Sequence, residues 1–213
     1  MSEQTFEIRV CKSCGLRYPI LSEHARGTRC PICMGETRVA HKGSLIRERI
    51  HSLTPDLAPR PSGGFAVLLD NIRSAGNVGS ILRSAEGFGF MHAYLCGITP
   101  TPENNAVQKT SLGAEDSVPW SYHKDAVKLV KGLKKEGWNI CGLEEDKKAS
   151  PINEAKKTKN DTVLIVGNEI TGVDPGLLSL CERVLFIPMR GEKKSFNAAV
   201  AFGIAAHALT ASH

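Results

Sequence analysis

LDNIRSAGNVGSILRSAEGFGF, residues 69–90, carries the chain from an apolar run, Phe65 to Leu69, across a polar turn and into an amphipathic segment. Val78, Ile81, Leu82, Ala85 and Phe88 recur at helical spacing. An apolar strand, a polar turn and a helix make half of a βαβ unit. In open α/β sheets, turns at the carboxyl ends of strands are where ligands and chemistry collect. This turn carries Asn71, Arg73 and Asn77, and the helix carries Arg83 about one and a half turns further on. A helix with a purely structural role needs far less hydrogen-bonding capacity at its start.

Downstream, the same rhythm repeats. Strands are predicted at Met91–Cys96, Trp138–Leu143, Thr162–Val166 and Val184–Pro188, and helices at Val78–Gly87, Asp125–Glu136, Phe196–Thr210 and, more weakly, Asp174–Cys181. Asp174-Pro175 supplies an N-cap and a first-turn proline for the last of these. Alternating strands and helices imply an α/β fold, a mostly parallel sheet covered by helices on both faces. The Gly-bearing turns fit neither the dinucleotide-binding nor the nucleoside-triphosphate pattern, which disfavours NAD and ATP.

Upstream, Cys11-Lys-Ser-Cys14 is followed by Cys30-Pro-Ile-Cys33, a C-x₂-C-x₁₅-C-x₂-C pattern. Two intervening residues let both sulfurs of a turn reach one ion, so Cys11, Cys14, Cys30 and Cys33 are expected to hold a structural Zn²⁺. Gly15 and Gly35 follow the pairs where a knuckle turn calls for positive φ. Arg17, Arg26, Arg29 and Arg38 lie on this module. Ser44 is expected to cap a short helix from Leu45 to about Leu53, and the Pro- and Gly-bearing stretch to Gly64 reads as a linker. The expected division is therefore a zinc ribbon at 1–43, a short helix and linker at 44–64, and the α/β domain at 65–213.

Charge and composition set wider bounds. Residues 1–60 hold ten Lys/Arg against six Asp/Glu, and residues 61–213 hold 17 against 16. Four zinc thiolates offset much of that excess, so it permits a nucleic-acid partner without requiring one. The start, MSEQTFEIRV, has no apolar signal core, and the longest low-polarity stretch, Phe196 to Leu209, is too short to span a bilayer. With seven cysteines, an odd number, the expectation is a cytoplasmic protein without a membrane partner.

Two further strand-end stretches carry polar groups: Val163-Leu-Ile-Val-Gly167-Asn168-Glu169-Ile170-Thr171-Gly172, and Ile187-Pro188-Met189 leading to Ser195-Phe-Asn197. Ser195 or Asn197 can cap the last helix. Together, GNVGSILRSA, IVGNEITGV and IPM…SFNAAVA resemble, in order and spacing, the three signature motifs of SpoU/TrmH-type SPOUT methyltransferases. Lys109-Thr-Ser111-Leu-Gly113-Ala114 resembles a further family segment. The resemblance runs from about Phe65 to the C-terminus.

It implies transfer of a methyl group from S-adenosylmethionine to a ribose 2′-hydroxyl of structured RNA, tRNA or rRNA, by a homodimer with a C-terminal trefoil knot; no DNA partner is expected. By motif position, it implies Asn77, Arg83, Glu169, Ser195 and Asn197 as catalytic residues. It implies Gly167, Asn168, Glu169, Gly172, Ile187, Met189, Ser195 and Asn197 around the cofactor. The first stretch then becomes the RNA-facing lip, and the two later turns the cofactor site. A non-catalytic RNA-binding protein that keeps the fold is the alternative. The N-terminal cysteine module departs from the extensions of many family members, which leaves the RNA unnamed. Plainer roles compete at single positions: Asn77 as a helix cap, Glu169 as the cap of the Thr171–Gly172 turn.

Overall fold

A computed structural model describes residues 5–22, 29–44, 63–155, 160–192 and 195–211. The chain divides into two compact units, 1–56 and 57–213. The helix expected from Leu45, most of the linker and Arg26 lie outside the described residues. Ser44, expected as a helix cap, instead ends a strand.

The first unit is a three-stranded antiparallel sheet of β1 (Thr5–Cys11), β2 (Arg17–Leu21) and β3 (Thr37–Ser44), in the order β2-β1-β3. Among its described residues, no aliphatic or aromatic side chain is fully buried; Cys11 and Cys30 are, along with the polar Glu7, Arg9 and Thr37. Arg9 donates to the Glu7 carboxylate and, at 2.7 Å, to Thr37 Oγ1. The centre of this unit is therefore its cysteines and a small polar network.

The second unit runs β4 (Phe65–Asp70), α1 (Ala75–Gly87), β5 (His92–Cys96), α2 (Asn105–Ser111), α3 (Ala114–Ser117), β6 (Trp120–His123), α4 (Ala126–Lys135), β7 (Asn139–Leu143), β8 (Ser150–Pro151), β9 (Thr162–Val166), α5 (Pro175–Leu178), β10 (Arg183–Phe186) and α6 (Ala198–Thr210). Its seven strands order as β6-β5-β4-β9-β7-β10-β8, and each pairing is parallel. Every residue of β4 and β9 is buried, as continuous apolar runs inside a parallel sheet require. Side chains alternate between two cores. Phe65, Val67 and Leu69 meet α1 and α6 on one face; Ala66, Leu68, Val163 and Ile165 meet α4 and α5 on the other. The expected architecture of a parallel sheet with helices on both faces is present.

Ser74 caps α1, its side chain accepting from the Asn77 N–H at 3.3 Å, so the cap is not Asn77. Val78, Ile81, Leu82 and Ala85 face the core. Gly79 has a separate reason to be glycine. A Cβ there would overlap Thr110 Oγ1 and the Val107 carbonyl, because α1 and α2 approach backbone to backbone. Gly79→Ala is expected to destabilise the second unit by about 1–3 kcal/mol, the usual range for overpacking. Gly87→Ala, on the same helix with nothing near the new methyl, should stabilise it by no more than about 1 kcal/mol. Urea unfolding of both variants measures the contrast; equal midpoints would remove the close-approach explanation.

Candidate active site and cysteine centre

The three polar turns meet at the carboxyl edge of the sheet, as consecutive parallel strands dictate. β9 ends at Val166 and enters a loop that closes on itself: the Asn168 N–H donates to the Gly172 carbonyl at 3.1 Å, and the Gly172 N–H to the Asn168 carbonyl at 2.9 Å. A Cβ at Gly167 would collide with the backbone of Gly172 and Val173. The turn is capped by Asn168, whose Oδ1 accepts from the Ile170 and Thr171 N–H groups at 2.9 and 3.2 Å. The plainer role that competed for Glu169, capping this turn, thus belongs to its neighbour Asn168, whose Nδ2 also donates to the Asn71 carbonyl at 2.6 Å.

Released from that duty, Glu169 reaches the start of α1. Its carboxylate accepts from the backbone N–H groups of Arg73 at 3.0 Å and Ser74 at 3.1 Å, and from Asn77 Nδ2 at 2.9 Å. An anion fits there, because the first N–H groups of a helix lack intrahelical partners and carry its positive dipole end. Partial burial works to raise the Glu169 carboxyl, but these donors outweigh it and hold the group below the ordinary glutamate value. Asn77 Oδ1 in turn accepts from Asn197 Nδ2 at 2.9 Å, and Asn197 Oδ1 caps α6 through the Ala199 and Val200 N–H groups. One chain of hydrogen bonds, Glu169–Asn77–Asn197, ties together turns separated by 92 and 120 residues.

Beside it lies a cavity of about 220 Å³. Gly167, Asn168, Glu169, Gly172, Ile187, Met189 and Ser195 line it, as does an apolar wall that includes Leu143, Phe186 and Ala201. Asn197, also expected at the cofactor, is not among the lining residues. Neither is Arg83, which is exposed on α1 about 9 Å of helix rise beyond Asn77. Glu144 and Glu145 line the cavity without having been singled out from sequence. The Glu144 carboxylate accepts from the Val173 and Glu145 N–H groups at 2.9 and 3.0 Å. Their signal was positional: they follow the carboxyl end of β7.

In the first unit, the sulfurs of Cys11, Cys14, Cys30 and Cys33 all lie within 4.8 Å of one another. Cys11 and Cys33 are 3.4 Å apart, and Cys14 and Cys30 3.6 Å; all four are free thiols. Tetrahedral Zn–S bonds of about 2.3 Å place sulfurs about 3.8 Å apart, so the cluster fits a zinc ion. The Cys14 N–H, assisted by that of Ser13, lowers the Cys11 thiol and the Cys33 N–H lowers Cys30, whereas, against the Leu16 N–H, the neighbouring cysteine sulfurs raise Cys14. Gly15 takes the expected positive φ, +75°. At the second knuckle, Met34 takes it instead, at φ 58°, and Gly35 is needed because a Cβ would press on Ser13 Oγ at 2.5 Å. The remaining cysteines are core thiols: burial pushes Cys96 and Cys141 up to about 12 and Cys181 to about 11.

Residues 64–207 match the SpoU rRNA Methylase family. The chain is 30% identical to rRNA methyltransferase 1, mitochondrial, of Dictyostelium discoideum over 68% of its own length and 28% of that protein. It is also 30% identical to the 23S rRNA (guanosine(2553)-2′-O)-methyltransferase RlmP of Bacillus subtilis, over 65% and 54%. For the tRNA (guanosine(18)-2′-O)-methyltransferase of Thermus thermophilus the figures are 28% identity over 75% and 76%. The chain thus spans between a quarter and about half of the first two relatives. Among solved structures, the A. aeolicus TrmH/SpoU tRNA modifying enzyme superposes with a TM-score of 0.63 at 26% identity, over 70% of this chain and 74% of that one. An AdoMet-bound rRNA methyltransferase from Sinorhizobium meliloti shares the fold, with a TM-score of 0.65 at 24% identity over 69% and 56%.

Proposed function

Because the chain belongs to the SpoU rRNA methylase family, we propose that it methylates a ribose 2′-hydroxyl of tRNA or rRNA with S-adenosylmethionine as donor. The observation that carries this reading is the Glu169–Asn77–Asn197 chain at the rim of the cavity, which unites all three motifs. The cavity suits the donor chemically. Leu143, Ile187, Met189 and Ala201 offer an apolar wall for a flat purine, and Glu144 and Glu145 offer carboxylates for ribose hydroxyls or a positive sulfonium. When bound, that cofactor supplies an electrophilic methyl group.

The protein's part is placement. Positioning alone can supply several kcal/mol to an in-line displacement. Glu169 fixes the start of α1, Asn77 and Asn197 fix the two helices to each other, and Ser195 and Asn197 present exposed polar groups at the mouth. The acceptor hydroxyl must lose its proton. A guanidinium stays charged at any physiological pH, so Arg83 serves as a fork for RNA phosphate that orients the 2′-hydroxyl rather than as the final base.

The cysteine cluster is read as one structural zinc per chain, supported by the sulfur spacing. A homodimer is supported by α6. This helix is apolar nearly all round, yet Val200 and Ile204, with Phe196 just before it, remain exposed. A helix of that composition is ordinarily covered on every side.

Mapping 2′-O-methyl sites in total RNA from cells with and without the gene tests the function, with calorimetry testing S-adenosylmethionine binding. Arg83→Lys keeps the charge but loses the fork, and is expected to slow single-turnover methylation about tenfold to a hundredfold. Near-normal turnover by that variant would remove the fork role. A folded protein that binds no S-adenosylmethionine would instead be a non-catalytic RNA binder.

A further inference from the structure

The carboxyl edge of the sheet continues beyond the cavity. Asp70, Cys96 and His123 are register partners across β4, β5 and β6. With strands about 4.8 Å apart, the end of β6 lies about 10 Å from the end of β4. Two apolar side chains stand exposed there, Ile98 at 65% and Tyr122 at 46%. Neither has a part in the site described above.

Both are fastened to the turn that opens the first motif. The Tyr122 hydroxyl donates to the Gly97 carbonyl at 2.8 Å, and the Gly97 N–H to the His123 carbonyl at 3.0 Å. The Ile98 N–H donates to Asn71 Oδ1 at 3.2 Å. Buried Thr99 Oγ1 accepts from the Ile72 N–H at 3.0 Å and donates to the Leu69 carbonyl at 3.1 Å. The 97–99 loop is thereby stapled to Leu69, Asn71 and Ile72. Tyr122 is the register partner of Leu95, and Leu95 of Leu69, which puts its side chain on the sheet face that carries α1. A tyrosine whose hydroxyl is satisfied while its ring stays open to solvent is a fixed apolar plate. Lys124 and Lys128 share a surface cleft with Tyr122, as do two acids, Glu136 and Asp125, the latter accepting from the Lys128 N–H at 2.9 Å as the cap of α4.

We propose that Tyr122 and Ile98 form a stacking platform for another base of the RNA that carries the methylated nucleotide, with Lys124 on its phosphate. The proposal rests on the RNA-methylating reading and adds a substrate-selecting surface to it. Aromatic plates accept any base by its π-face, and lysines hold the strand in place. RNA fits better than a second copy of the chain. The extended apolar face is that of α6, whereas this one is two apolar side chains among charged neighbours, with Lys124 two residues from Tyr122.

Transfer RNA and ribosomal RNA from cells lacking the gene, purified as two pools, serve as acceptors with tritiated S-adenosylmethionine. Tyr122→Ala and Tyr122→Leu are each expected to raise the KM for the accepting pool about tenfold, and Tyr122→Trp to stay within about twofold of wild type. S-adenosylmethionine affinity should be the same in all three, which also reports that they fold. Unchanged KM in the Ala and Leu variants beside an active wild type overturns the platform and leaves RNA methylation standing. Failure of the wild type to methylate either pool overturns both. A raised KM accompanied by a smaller sedimenting species overturns the platform in favour of a subunit contact.

Discussion

With Cys11, Cys14, Cys30 and Cys33 holding the proposed zinc, chelation is expected to unfold β1–β3 while the second unit stays folded. The reason is the make-up of the first unit. Among its described residues no aliphatic or aromatic side chain is fully buried, and its innermost groups are the cysteines and the Glu7–Arg9–Thr37 network. A sheet of this size without an apolar core cannot offset the conformational entropy of ordering it. Zinc held by thiolates contributes about 10–16 kcal/mol in comparable small modules, essentially the whole stability of such a fold. Amide hydrogen exchange with and without a strong chelator is the measurement. Protection across Glu7–Val10 and Val39–Lys42 should collapse, while β4 and β9 keep theirs as an internal control. Persistence of β1–β3 protection after the metal is gone would show that something other than zinc holds the ribbon. Cys11→Ser should reproduce the chelator's effect.

Glu169→Gln is expected to lower kcat/KM for methyl transfer about a hundredfold, the scale on which a shift of about 1 Å in reacting groups acts. Gln keeps the shape but presents an NH₂ donor to a site made of three donors, Arg73 N–H, Ser74 N–H and Asn77 Nδ2. The start of α1 is then released, and Asn77 loses one of its two anchors. Because the carboxylate is exposed and screened by solvent, stability should fall by no more than about 1 kcal/mol. The pH dependence follows from the lowered carboxyl. Its stabilisation is fully present above the unfolded glutamate value of about 4.3 and is lost as pH falls through the folded value beneath it. The gap in Tm between wild type and variant should therefore be constant at neutral pH and close below about pH 4. A gap that stays constant into acid would mean that the charge of Glu169 does not hold the helix.

Much of the second unit was legible because its two central strands, β4 and β9, are buried along their whole length. Phe65–Leu69 and Thr162–Val166 are unbroken apolar runs, and runs of that kind have few alternatives to the middle of a parallel sheet. β6 was missed: Trp120–His123 is an edge strand without a fully buried residue, so neither alternation nor a continuous run marks it. The short helix α2 was missed as well. Its reason to exist is contact with Gly79, which no local pattern announces. The site residues were legible as motifs, but their partners were not. Ser74 rather than Asn77 caps α1, Asn168 rather than Glu169 caps its turn, and Met34 rather than Gly35 takes the positive φ. In each case a neighbour one to three positions away does the job, because several nearby residues could take the same local role and the pattern does not choose among them. Glu144 and Tyr122 were invisible because their partners, Val173 and Gly97, are remote in sequence.

The pairing of β4 with β9 also bears on how the protein is made. The two central strands, Phe65–Asp70 and Thr162–Val166, are about 100 residues apart, yet each supplies one side of the other's hydrogen bonding. At a synthesis rate of about 5–20 residues per second, a nascent chain holds β4 for roughly 5–20 s before β9 exists. During that interval β4 has β5 on one side and a bare apolar edge on the other. Slowed synthesis between residues 70 and 160 therefore lengthens the time for which that edge is open to other chains, the kind of surface chaperones cover.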